Sequence, residues 1–77
     1  MKDVVFTKHA EEKIAERNIT KEIITSTVIE QKDIIPTRSN SKIVHGAVDD
    51  KLLRIVFREE VTKFVIITAY LTDKKRY

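Results

Sequence analysis

Between Lys42 and Leu71 three runs of strand-forming residues follow one another with almost no chain to spare between them: Lys42–Val48, Lys51–Arg58 and Lys63–Leu71. Asp49-Asp50 separates the first two, and Glu59 to Thr62 the second pair. Connections that short join neighbouring strands only as antiparallel hairpins, since a parallel pair needs a crossover of a dozen residues or more. The middle run, Lys51-Leu-Leu-Arg-Ile-Val-Phe-Arg58, places the permanent cation Arg54 in a stretch otherwise built for burial. A central strand accepts that only where the sheet has one open face.

The preceding residues read as helices. Residues 3–6 are extended or a short strand, and Thr7 is a good N-cap for a helix over 8–17. Glu11 and Glu12 sit early in that helix, where carboxylates favour the positive end of the dipole. Ala10 and Ile14 make a narrow apolar stripe, and Asn18 suits a left-handed C-terminal position. Thr20 caps a second helix over 21–31, whose buried face is Ile23, Ile24 and Val28, with Ile29 at its edge. A strand over 23–29 is the rival reading, because β-branched residues are common there. Residues 33–36 form a short edge strand, since Pro36 cannot donate to a central ladder. Residues 37–41 are a polar loop.

Alternation sorts the strands into two faces. A two-residue hairpin at Asp49-Asp50 pairs Val48 with Lys51 and, counting back, His45 with Arg54. One face then carries Ile43, His45, Ala47, Leu52, Arg54, Val56 and Arg58. The other carries Val44, Gly46, Val48, Leu53, Ile55 and Phe57, and packs on the helices. In the last strand both alternating sets are apolar. Val65, Ile67, Ala69 and Leu71 carry no polar atom and are assigned to the core, which puts Phe64, Ile66, Thr68 and Tyr70 beside Arg54. A loop of three or five residues after Arg58 gives this facing, and a loop of four reverses it.

With 77 residues the chain forms one domain, residues 1–77, with a small core. A hydrophobic content of 42%, one Gly and one Pro exclude a low-complexity chain. No apolar run approaches the ~20 residues of a membrane span. The opening Met1–Phe6 lacks a signal peptide's apolar region, so a cytoplasmic protein is expected. The absence of Cys removes disulfides and thiolate chemistry. Residues 1–41 hold seven Lys/Arg against seven Asp/Glu, and residues 42–77 eight against five, so the net +3 lies on the strand half. Basic excess on one half is a weak footprint of a polyanion binder, and on charge alone more often the ordinary surface of a Lys/Glu-rich protein.

One glycine cannot make a glycine-rich phosphate loop, and two histidines without ligand spacing do not make a metal site, so neither cofactor nor metal is expected. Arg54 suits phosphate recognition, because guanidinium stays ionised and grips oxyanions in bidentate fashion. A cross-strand ion pair is its structural alternative. His45 suits proton transfer, with an unperturbed pKa of about 6.5, and is otherwise a half-exposed strand histidine. His9, Lys13 and Arg17 form a polar stripe on the first helix, which ordinarily means a solvated face.

Leu53-Arg54-Ile55-Val56-Phe57, the charged turn, Phe64-Val-Ile-Ile-Thr-Ala-Tyr70 and the basic tail ending in Tyr77 resemble the C-terminal half of RelE/ParE/BrnT-like toxins. Thr7-Lys8-His9-Ala10 followed by Arg17-Asn18-Ile19-Thr20 is similar to the opening of an uncharacterised branch of that superfamily. The resemblance covers nearly the whole chain. It implies an α+β, RelE-like fold: two N-terminal helices packed on one face of a twisted antiparallel sheet of three to four strands. It also implies a toxin-like, metal-independent endoribonuclease of a toxin–antitoxin pair. Carried over by position, Arg54 matches the strand arginine, Lys74 or Arg76 the tail cation, and Tyr77 the terminal tyrosine. His45 stands where such proteins place basic residues of the preceding strand. His9 and Arg17 carry over as signature residues of unknown role.

The expected catalytic set is therefore Arg54, His45 and Tyr77, with Lys42, Arg58, Thr68, Lys74 and Arg76 binding RNA. The expected partners are RNA and an antitoxin protein, with a homodimer possible and no membrane. Two other readings stand beside the enzyme. One is a binding module whose face, through Ile43, Leu52, Val56 and Ile66, receives an antitoxin segment or a second copy. The other is a nucleic-acid binder without chemistry, with salt-sensitive affinity for RNA that stays intact.

Overall fold

The computed structural model describes residues 3–30, 34–37 and 40–73. In chain order these form β1 (Asp3–Phe6), α1 (Lys8–Glu16), α2 (Lys21–Glu30), β2 (Ile34–Pro36), β3 (Ser41–Val48), β4 (Lys51–Glu59) and β5 (Lys63–Asp73). All the strands belong to one sheet in the order β1-β5-β4-β3-β2. Neighbours are antiparallel except β1, which lies parallel to β5 with Phe6 opposite Ile66.

This corrects the expected antiparallel sheet of three to four strands: the sheet has five strands and is mixed. The cause is the opening segment. Val4 and Phe6 pack against the core, so residues 3–6 gain apolar burial as well as hydrogen bonds by lining the outer edge of β5. The helices and the other strands then form the long crossover that a parallel pair requires.

Local chemistry sets the helix ends. Thr7 caps α1, its hydroxyl accepting from the Ala10 amide at 3.1 Å. Asn18, at φ +55°, turns the chain out of α1 into the left-handed region that asparagine tolerates. Thr20 then caps α2, accepting from the Ile23 amide at 3.2 Å. Residues 23–29 are thus helical, because the cap and the burial of Ile24 and Val28 outweigh their strand propensity. Lys21 ties the helices together, with its Nζ 2.9 Å from Glu11 Oε1 and 5.2 Å from the Phe6 ring centroid.

Both helices cover one face of the sheet. Ala10, Ile14, Ile19, Ile24 and Val28 form a single core with Val44, Leu53, Ile55, Phe57, Phe64, Ile66 and Ala69. Phe57 and Phe64 meet edge to face at 5.8 Å between centroids. Gly46 lies where α2 crosses β3. A Cβ there would stand 2.9 Å from Thr27 Cγ2, so the bare backbone is what admits the helix.

The β3–β4 hairpin has the register that the Asp49-Asp50 turn predicts, with Asp49 at φ +55° and Val48 opposite Lys51. The β4–β5 hairpin does not follow a single register. Glu59 pairs with Phe64 and Phe57 with Ile66, but Val56 pairs with Thr68. Ile67 is therefore the extra residue of a β-bulge. Below the bulge, Phe64 and Ile66 face the helices, contrary to their expected place beside Arg54. Above it, Thr68 and Tyr70 lie on the face that neither helix covers, as expected. The turn reverses the facing of β5, and the bulge reverses it back.

Candidate functional site

On the uncovered face one residue from each of three adjacent strands falls in a row. His45 of β3 is opposite Arg54 of β4, and Arg54 is opposite Tyr70 of β5. Directly opposed side chains on an antiparallel pair start about 5 Å apart at Cβ, so the three are next neighbours along one line. All three are half-buried, and His45 Nε2 and Arg54 Nε are shielded from solvent. Each also makes further contacts within the chain. Ile43, Leu52, Val56 and Thr68 flank the row on the same face. Val65, further along this face, is 8% exposed although no helix lies over it. The face is thus a floor of aliphatic side chains crossed by a line of imidazole, guanidinium and phenol.

Parity separates the other basic residues. Arg58 shares the face of Arg54 and is held by Glu60, with Nη2–Oε2 at 2.7 Å and a second bond from Nε at 2.9 Å. Lys42 lies on the helix-bearing face, because it is two residues from Val44, and its Nζ is 3.0 Å from Glu59 Oε1. The structure therefore brings His45, Arg54, Arg58 and Thr68 onto one face and leaves Lys42 on the other. Tyr77, Lys74 and Arg76 lie outside the described residues.

The signature residues of α1 divide. Arg17 donates from Nη1 to the carbonyl of Ala69 at 2.8 Å, fastening the helix C-terminus to a part of β5 beyond the reach of β1. Its role in the fold is to satisfy that carbonyl. His9 is exposed in the first turn of α1 and makes no hydrogen bond or ion pair within the described residues. Thr7, beyond capping α1, donates its hydroxyl to the Ile67 carbonyl at 3.4 Å, and Ala10 is fully buried beneath.

A cavity of about 560 Å³ lies between α2 and the β3 side of the sheet, and His45 is the member of the row that borders it. Ser26, Thr27 and Glu30 of α2 line one wall, and His45, Gly46 and Leu52 line the sheet side. Its size is within the range of small-ligand sites, and among the described residues its lining mixes aliphatic surface with a carboxylate, hydroxyls and an imidazole. Tyr70 as the direct neighbour of Arg54, and the cavity with Glu30, are the features that sequence reasoning missed. The first depends on the bulge. The second had one signal, the lone glycine of the chain set in a strand. Among the described residues no three His, Cys, Asp or Glu side chains come together as a bound metal would need. No described helix is long and apolar enough to cross a membrane.

The sheet and its row of side chains define a small two-helix domain with a mixed five-stranded sheet and one chemically furnished face. The chain belongs to the family described as Domain of unknown function (DUF4258), whose model matches residues 6–71. His9, Arg17, His45, Arg54 and Tyr70 all fall within the matched residues, and Lys74, Arg76 and Tyr77 fall beyond them. No curated protein and no solved structure matches the chain.

Proposed function

We propose that the uncovered face is the active face of a metal-independent endoribonuclease. The observation that carries this reading is the register His45–Arg54–Tyr70 across three consecutive strands. Strands are about 4.8 Å apart, so the outer two members of the row are based roughly 9–10 Å apart with the guanidinium between them. In-line displacement at a phosphodiester asks for a similar span. The attacking and leaving oxygens lie on opposite sides of phosphorus, and a hydrogen bond of about 2.8 Å to each places base and acid roughly 9 Å apart.

His45 takes the proton of a ribose 2′-hydroxyl as its oxygen bonds to phosphorus. Arg54 stabilises the negative charge that builds on the non-bridging oxygens. The phosphorus–O5′ bond breaks, and Tyr70 delivers a proton to the departing oxygen. The products are a 2′,3′-cyclic phosphate and a 5′-hydroxyl, with no water consumed. The similarity of the Arg54 strand to RelE/ParE/BrnT-like toxins, and the basic excess on the strand half, support the same chemistry.

The test is incubation of the purified protein with RNA in the presence of a chelator, with end-group analysis of the fragments. Cleavage leaving cyclic phosphate is expected, reduced roughly 100-fold or more by Arg54→Ala. Undiminished cleavage by that variant overturns the assignment. A second reading rests on Ile35 and Val5, 43% and 41% exposed on the same face at its two edges. In that reading the face receives an antitoxin-type protein or a second copy, RNA stays intact, and light scattering of the isolated chain separates the two partners.

A further inference from the structure

The row of His45, Arg54 and Tyr70 runs across the strands, and an aliphatic strip lies beside it along its whole length. Ile35, Ile43, Val56 and Thr68 stand opposite one another on β2, β3, β4 and β5, each of the last three being two residues from a member of the row. Four strands make the strip about 14 Å wide, and two residues of strand set it about 7 Å from the row. Ile35 is 43% exposed, Ile43 and Val56 are half-buried, and the strip is on the face that neither helix covers. On the other side of the row the corresponding step, Ala47, Leu52 and Thr72, is three strands wide and ends at the Asp49-Asp50 turn. Row and strip together carry a guanidinium and an imidazole but no carboxylate, and Arg58 stands at the far side of the strip. A second copy laid on this face brings cation to cation, whereas a polyanion complements it.

We infer that this strip is a base platform for an unpaired RNA strand, taking the two bases on either side of the cut without selecting among them. The inference rests on the endoribonuclease reading for its orientation. In-line attack needs the 2′-oxygen opposite the departing 5′-oxygen. Inside an A-form duplex the 2′-oxygen is held beside the phosphorus instead, because pairing and stacking fix the ribose. The two nucleotides must therefore leave the stack, which costs least in a strand that is not paired. Their bases then need another surface to lie on. With the phosphate at Arg54, the strip is about as far away as a nucleotide's base is from its phosphate, and it has the width for two bases laid flat side by side. His45 receives the 2′-hydroxyl proton, so the 5′ base lies over Ile35 and Ile43 and the 3′ base over Val56 and Thr68. Aliphatic side chains meet the flat face that all four bases share. Thr68 adds a hydroxyl, which donates or accepts and so favours no base.

The experiment uses the intact protein and 2′-fluoro RNA, which lacks the attacking hydroxyl and stays whole. Fluorescence anisotropy compares a labelled strand of about 12 nucleotides with the same strand in a blunt duplex, and the single strand is expected to bind roughly tenfold more tightly or better. Dinucleotides, followed by amide shifts of the ¹⁵N-labelled protein, should bind within about threefold of one another whichever bases they carry. Ile43→Ser should weaken a dinucleotide roughly fivefold, as should removal of its 5′ base, and the two changes together should cost no more than either alone. Ile35→Ser, at an exposed edge position, repeats the test where the fold has least at stake. Amide spectra of each variant that match the parent away from the strip establish that the fold is intact. A duplex bound as tightly as the strand, a base preference beyond that range, or an Ile43→Ser effect that persists without the 5′ base overturns the platform even if RNA is cut. Single-strand affinity that Ile43→Ser lowers only when the 5′ base is present, with no cleavage of ordinary RNA by the parent protein, upholds the platform and overturns the catalytic reading.

Discussion

Replacing Gly46 by alanine isolates the contact that seats α2 on the sheet. The added Cβ would lie 2.9 Å from Thr27 Cγ2, closer than real Cβ contacts come, and 3.0 Å from Thr27 Oγ1, tighter than nearly all of them. Thr27 cannot simply swing aside. Its Oγ1 donates to the Ile23 carbonyl at 2.7 Å, and a β-branched side chain in a helix has few rotamers to choose from. Either that bond is lost or α2 lifts from β3, and overpacking of this kind costs about 1–3 kcal/mol. Alanine recovers about 0.5–1 kcal/mol because it orders less expensively than glycine in a strand. The net loss is centred on about 1 kcal/mol, which for a domain of this size lowers the melting temperature by roughly 4–8 °C. Thermal unfolding followed by circular dichroism reads it directly. The double variant with Thr27→Ala removes the obstructing atoms, so it should be about 1–2 kcal/mol more stable than the sum of the single changes predicts. A Gly46→Ala protein that melts at or above the parent, or strict additivity in the cycle, refutes the reasoning.

Three other outcomes follow from the same geometry. Phe57 is fully buried and stacked edge-on with Phe64, so Phe57→Ala should cost about 3–5 kcal/mol and leave much of the protein unfolded at 37 °C, as judged by urea titration. Arg17→Ala removes the donor to the Ala69 carbonyl and should lower stability by about 1 kcal/mol while RNA cleavage per folded molecule is unchanged; a collapse of cleavage would assign Arg17 to the site. Tyr70→Phe keeps the packing of the row but loses the phenolic proton, so single-turnover cleavage should slow by about 100-fold or more, with RNA affinity preserved in a filter-binding assay.

What could be read from the sequence depended on how far each local signal reached. The faces of β3 and β4 followed from a two-residue turn and strict alternation, which is why His45 and Arg54 were placed together correctly. Thr20 and the 23-24-28 spacing were enough for α2. β5 was only half legible: both its alternating sets are apolar, and no residue announces an insertion at Ile67. Alternation alone therefore puts Phe64 and Ile66 on the wrong face and Thr68 where Tyr70 stands. β1 was legible as an extended segment but not as a parallel partner, since four residues carry no information about which edge they join. Charge alone groups Lys42 with the basic residues of the site, whereas its parity with Val44 and Gly46 sets it on the helix side. The cavity involves a helix and a strand far apart in sequence, a juxtaposition that periodicity within either segment cannot express.

The bulge at Ile67 also makes the chain's architecture divisible at a single residue. Deleting Ile67 would leave Ile66 opposite Phe57 and Thr68 opposite Val56 in an unbroken ladder, with every other side chain on its present face. The sheet gains no inside-or-outside assignment from the extra residue that a shorter strand would lack. What the insertion supplies is a carbonyl released from the ladder, and Thr7 takes it with the same hydroxyl that caps α1, while its amide bonds to the Ile66 carbonyl at 3.1 Å. Strand pairing and helix docking therefore share one fastening point. A protein shortened there would keep its sheet and lose one fastening of its first helix, leaving the Arg17–Ala69 bond and the packing of Ala10 and Ile14 to hold α1 while the row of His45, Arg54 and Tyr70 stays assembled.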